Sequence, residues 1–333
     1  MVNYTSYSIT LTTIYNIHMP VSIRFWLYLI PNICSILCSI FALFHFLFDR
    51  QLRQAMNNHI IIILLFIGLV YELTSVPLML HYFRFSATWK LSKTFTHLWT
   101  FIDYLCYSTQ LIGFAWASIE RHILIFHFRW LSTKTRCFFL HYFPLIVLFT
   151  YCFVYYFIVT IFPLCEDLLI PSPFNGVPVS CILFIPILLT YDTIAHQILP
   201  TLIIIMLSTA LFIRILWQKS RLNRSIRWRK QMKMTIQLLS ISVLYLVFMG
   251  PRTILQFCLF LGLIQENVFI GFLHSCFFAN YIIFLFPVFA CGSMLEFRQR
   301  INRIFLWHKQ RRSIRPDNRP SHQKIPINIR LGP

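Results

Sequence analysis

The sequence predicts an all-α membrane protein, a bundle of seven transmembrane helices. Three observations carry this. The first is composition. Of 333 residues, 58% are hydrophobic and 12% charged, where soluble domains hold about 45–50% and about 25%. Mean hydropathy is +0.68. Such a chain cannot cover its apolar surface with water-compatible groups. This excludes a cytosolic enzyme, a nucleic-acid module and a disordered chain, despite a net charge of +19. The second is seven long apolar runs. The third is the crowding of basic residues into alternate connections.

Residues 1–24 are polar, rich in Thr, Ser and Tyr, and lack the apolar core of a cleavable signal. They read as an extracellular N-terminus, and the first span as its own signal-anchor. The sequon Asn3-Tyr4-Thr5 makes Asn3 a candidate glycosylation site. A bilayer core about 30 Å thick takes roughly 20 helical residues. Runs of that length lie near 25–48, 58–80, 97–126, 138–162, 187–216, 232–261 and 268–292. "HIIIILLFIGLVYEL" in the second and "LPTLIIIMLSTALFIRIL" in the fifth are the clearest. The third is the least apolar, with Asp103, Gln110 and Glu120. Unbroken runs of this length require helices, because backbone groups find no water in lipid; barrel strands are shorter and alternate.

Lys and Arg set the orientation. Of the 29 basic residues, 24 fall on one side. These are the connections with Arg50 and Arg53, with Arg121–Arg136 and with Arg214–Lys233, and the tail from Arg298 to Arg330. The opposite side holds Arg24, Arg84, Lys90 and Lys93, and Arg252 lies within the sixth span. The positive-inside rule then places the N-terminus outside and the C-terminus in the cytoplasm of a multi-pass plasma-membrane protein. Residues 308–333 are basic, polar and rich in proline, and read as a disordered cytoplasmic tail. Between spans five and six, Arg221, Arg224, Arg227, Lys230 and Lys233 recur every third residue. They suit a G-protein docking rim or anionic inner-leaflet lipid, and the sequence does not apportion the two.

Ionisable groups inside a span are costly and invite functional hypotheses. The densest group is "FAWASIERHILIFH", where Glu120 and Arg121 end span three. Arg121 is either a boundary arginine with its head in water or a group turned into the bundle. Seven spans with Glu120-Arg121-His122 in this place resemble the rhodopsin-like (class A) G-protein-coupled receptors, whose Asp/Glu-Arg-Tyr motif sits there. Pro200, Pro251 in "LVFMGPRTIL" and Pro287 in "FLFPVFACGSMLEF" match the family's proline landmarks. The likeness covers roughly residues 25–306. It implies a short amphipathic eighth helix over 293–307, a small-molecule or peptide ligand, and a heterotrimeric G-protein partner. Coupling and activation would then run through Glu120, Arg121, His122, Pro251 and Pro287. The chain departs from the family in several places. Gly68 stands where the family has Asp, so its sodium site is in doubt. Cys-Trp-x-Pro reads Phe248-Met249-Gly250-Pro251, and Asn-Pro-x-x-Tyr keeps only Pro287. Thr96 stands where the family's disulfide begins. Cys165 and Cys181 of the second outer loop are a candidate bond or two free thiols.

Asp103 lies 18 residues before Arg121, on one helix face and about 27 Å away. It matches the position where amine receptors of the family hold an ammonium, and Trp99 and Tyr104 can add cation–π contacts. Asp103 can equally pair with a protein cation. Asp192 and His196, four apart, form a second polar stripe: either pocket lining or an internal hydrogen-bond network. A peptide, an amine and a chemosensory ligand all stay open. Glu72 and His274 read as buried hydrogen-bonded groups. The rival reading is a transporter or channel that uses Glu72, Asp103 and Asp192 as a path. No catalytic motif, cofactor cradle or metal spacing appears, so no enzyme, cofactor, metal or nucleic-acid role is expected.

Overall fold

The computed structural model describes residues 19–54, 56–85, 92–126, 133–162, 170–172, 175–179, 185–221, 242–258, 261–262 and 266–292. Asn3, Cys165, Cys181, the basic residues of the fifth connection beyond Arg221, the expected eighth helix and the tail lie outside them.

Seven spanning helices form the bundle among the described residues. Helix α1 is Val21–Phe48 and is followed by a single turn, Arg50–Arg53. Helix α2 is Met56–Phe85 and α3 is Lys93–Phe126. Helix α4 is Phe143–Ile161, led by a turn Lys134–Cys137 and a π-helical stretch Phe138–Tyr142. Helix α5 is Pro186–Asp192, a π-helical stretch Thr193–Ile198, and Leu199–Arg221. Helix α6 is Ser242–Cys258. Helix α7 is Glu266–Ala279, turns at Asn280, and resumes over 281–292. Five stretches are long and apolar enough to cross a membrane: Val21–Phe48, Asn58–Phe85, Phe138–Ile161, Pro186–Leu211 and Phe269–Gly292. In α3 the apolar residues are interrupted by Thr, Ser, Gln and Asp103.

Helix α1 shows why the bundle holds together in lipid. Its buried residues are Arg24, Tyr28, Asn32, Ser35, Ser39, Ala42 and Phe46, spaced three or four apart. Trp26, Ile30, Ile33, Leu37, Ile40 and Phe44 face outward. Apart from Tyr28 and Phe46, small and polar side chains look inward, and large apolar ones face outward. That inverts a soluble helix and suits a solvent as apolar as leucine. Tyr28 pins α1 to α7: its hydroxyl donates to the Phe277 carbonyl at 2.9 Å and accepts from Asn280 at 2.8 Å. Around it Tyr71, Phe83, Trp99, Phe277 and Phe284 form the apolar core.

The π-helical stretch of α5 has a local cause. Pro200 has no N–H to give the His196 carbonyl, so the helix widens there, and the Leu199 N–H bonds five residues back to Ile194. Both Asp192 and His196 end up buried. A small hairpin sits near the start of α3. Strand β1 is Ile170–Pro171 and β2 is Pro178–Val179, antiparallel, with Ile170 opposite Val179. Gly176 turns it at φ 76°, a region other L-residues rarely enter. Thr100 on α3 donates to the Pro178 carbonyl at 3.3 Å and tacks the hairpin down.

Candidate functional site

Two polar regions lie at opposite ends of α3. At the hairpin end, Asp103 is buried, 8% exposed. Tyr71 of α2 is its hydrogen-bonding neighbour, and neither its Oδ1 nor the Ser75 hydroxyl has a partner among the described residues. One turn along, the Tyr107 hydroxyl accepts a hydrogen bond from Arg252 Nη1 and itself donates to Met249 Sδ at 3.2 Å. Arg252 Nη2 donates to Gln197 Oε1 at 2.9 Å, and the guanidinium lies 5.3 Å from the Tyr107 ring centre. Its Nε has no partner. Asp103 makes no ion pair among the described residues. Trp99 is packed in the core one turn before it, and Tyr104 stacks on Tyr156 of α4.

Asp192 and His196 face α4. The His196 Nδ1 donates to Asp192 Oδ1 at 2.8 Å, and the Tyr156 hydroxyl donates to the same oxygen at 2.9 Å. The Tyr151 hydroxyl meets His196 Nε2 at 2.8 Å, and Ser108 meets Tyr156 at 2.6 Å. The structure therefore brings Asp192 and His196 together, as an internal network with tyrosines. Glu72 has a third set of neighbours. Ser35 and Ser39 of α1 donate to its two carboxylate oxygens at 2.5 and 3.3 Å.

At the other end Glu120 and Arg121 are 3% and 5% exposed, so Arg121 is turned into the bundle. Glu120 Oε1 accepts from His141 Nδ1 of the α4 entry. His141 Nε2 lies 3.2 Å from His59 Nδ1 on α2, and His59 Nε2 donates to the Arg53 carbonyl at 2.9 Å. His122 Nε2 accepts from Arg214 Nη1 of α5 at 3.2 Å. Pro251 lies on the exposed side of α6, and Pro287 is buried in α7. Beside Pro287, Phe286 packs edge-on to Phe114 at 4.6 Å, and Phe114 meets Tyr245 at 5.1 Å, so aromatic rings join α3, α6 and α7.

Sequence reasoning missed Arg252, His59 and His141 as site residues. Each is a lone ionisable group inside an apolar run, which is the signal that marked Asp103. A Cβ on Gly68 would lie 3.0 Å from Gln110 Nε2, so the amide of α3 packs closely on α2 there. No group of metal-binding side chains occurs among the described residues.

The sequence profile of the 7 transmembrane receptors (rhodopsin family) matches residues 39–296. No curated protein matches the chain. Among solved structures it resembles the crystal structure of squid rhodopsin, with a TM-score of 0.63, 18% identity and 87% of each chain covered. At that identity the likeness speaks for the fold. The profile spans most of the chain and includes every helix from the end of α1 to α7; the chain belongs to the rhodopsin family of seven-transmembrane receptors.

Proposed function

We propose that this receptor sits in the plasma membrane with its hairpin end outside, binds a ligand near Asp103, and activates a heterotrimeric G protein through the Glu120 end. One observation carries the reading. A single helix, α3, holds a buried carboxylate with an unmatched oxygen near the hairpin and a buried Glu-Arg pair 18 residues on. Ligand contacts at the first would bias the packing at the second, which is what coupling between two sites requires. Trp99 and Tyr104 flank the ligand end, with Asp192 and His196 shaping its α4–α5 wall. The aromatic contacts of Phe114, Tyr245 and Phe286 supply a packing that α6 can break as it pivots at Pro251. Arg214 and the basic residues after it suit the G protein and anionic lipid at the same face. The orientation follows the placement of basic residues.

Arg121→Ala tests this. Surface expression and ligand binding should persist while ligand-stimulated nucleotide exchange on the G protein is lost; undiminished exchange would refute the assignment. The transporter alternative is disfavoured because Glu72, Asp103 and Asp192 have separate partners on α1, α2 and α4. Solute or ion flux in liposomes would revive it.

A further inference from the structure

Two opposite charges are held near each other at the hairpin end without meeting. Asp103 and Tyr107 are four apart on α3 and share a face. Arg252 Nη1 donates to the hydroxyl of Tyr107, the residue one turn along α3 from Asp103. Yet no ion pair joins them, and each keeps one buried atom unmatched, Asp103 Oδ1 and Arg252 Nε. Tyr107 and Gln197 occupy the two Nη nitrogens and lock the fork in place. Buried charges without full pairing are costly and point to something that completes them.

We infer that this site takes a small zwitterion of the α-amino-acid class, its ammonium on Asp103 and its carboxylate on Arg252. The inference rests on the receptor reading above. The alternatives fit less well. A simple amine would satisfy Asp103, leave Arg252 Nε unmatched and bring a second positive charge beside it. A simple carboxylate would do the reverse to Asp103. A zwitterion supplies both partners and adds no net charge. Arginine held rigidly suits carboxylate recognition, because little side-chain freedom remains to be lost on binding. The Tyr107 ring lies under the guanidinium at 5.3 Å and adds a cation–π contact that holds it in place.

The test uses the full-length receptor, purified, with melting temperature as the binding readout. Each standard L-α-amino acid is titrated, then the methyl ester and the N-acetyl form of any that binds. At least one free amino acid should raise the melting temperature saturably. Its ester and its N-acetyl form should each bind about tenfold more weakly or worse, the loss expected for one charge-assisted pair. Arg252→Gln should abolish the preference for free acid over ester, and Asp103→Asn the preference for free amine over N-acetyl. If Arg252→Gln does not fold, Arg252→Lys should keep part of the preference. The inference is overturned if no amino acid shifts the wild type, if the ester binds as well as the acid, or if the substitutions leave both preferences intact. A measurement of nucleotide exchange separates the two readings. Binding without exchange would leave the site and remove the receptor function. Exchange driven by another ligand, with no amino-acid binding, would do the opposite.

Discussion

Glu120 accepts a hydrogen bond from His141, which joins the carboxylate of α3 to the entry of α4. The contact continues through His141 Nε2 to His59 Nδ1, and from His59 Nε2 to the Arg53 carbonyl. Both ends of this chain are acceptors when Glu120 is ionised, so the outer nitrogens must carry hydrogen and the middle contact needs one more.

Removing His141 should leave a buried carboxylate with a missing partner. His141→Phe is expected to destabilise the purified receptor by about 3–5 kcal/mol, the usual result of breaking one side of a buried pair. Glu120→Gln in the same chain should recover much of that loss, because the amide carries no charge to desolvate. A thermal-melt double-mutant cycle measures this; purely additive effects would show that the pair is not coupled.

Gly176 and Gly262 form a matched comparison. Both have positive φ, 76° and 77°. A Cβ on Gly176 would come within 2.2 Å of the Tyr82 ring, whereas at Gly262 nothing among the described residues lies within 4 Å. Gly262→Ala should cost about 1 kcal/mol, the backbone strain alone. Gly176→Ala should cost clearly more, since the Tyr82 ring or the hairpin must move. Equal melting temperatures for the two variants would count against the close packing of hairpin on α2.

Asn280 turns α7 and donates to Tyr28. Asn280→Leu should destabilise by about 1–3 kcal/mol, because the Tyr28 hydroxyl loses a donor in a fully buried place. Adding Tyr28→Phe to Asn280→Leu should cost about 1 kcal/mol more, because the hydroxyl still donates to the Phe277 carbonyl. Chemical denaturation or melting of the purified variants reads both; an unchanged melt for Asn280→Leu would show that the α1–α7 pin carries no stability.

Glu72 separates the receptor from its rival. Its two oxygens are held by Ser35 and Ser39, so its role is to bind α1 to α2. Ser35→Ala with Ser39→Ala should lower stability by about 2–4 kcal/mol, two hydrogen bonds to a charged group lost together. Ligand-stimulated nucleotide exchange, per folded receptor, should stay near wild type. A large fall in exchange at unchanged stability would instead place Glu72 in the signalling path.

Much of the fold is legible in the amino-acid sequence. The span count, the helical class and the expected orientation follow from run length and from the side on which Lys and Arg gather. The bilayer imposes both in one dimension: a fixed thickness and a fixed charge preference. The polar character of α3 is legible as well, whereas the sequence leaves Arg121 open between the membrane boundary and the bundle interior, and the structure buries it. The partners are not legible. The sequence leaves Asp192 and His196 open between pocket lining and an internal network, and the structure bonds them to each other and to Tyr156 on α4. Glu120 meets His141, and Arg252 meets Tyr107 and Gln197, across helices far apart in sequence. Which buried group meets which depends on how each helix is rotated about its axis, and one added residue in a π turn resets that rotation. Apolar periodicity determines only the side that faces lipid; tertiary packing chose the partners within.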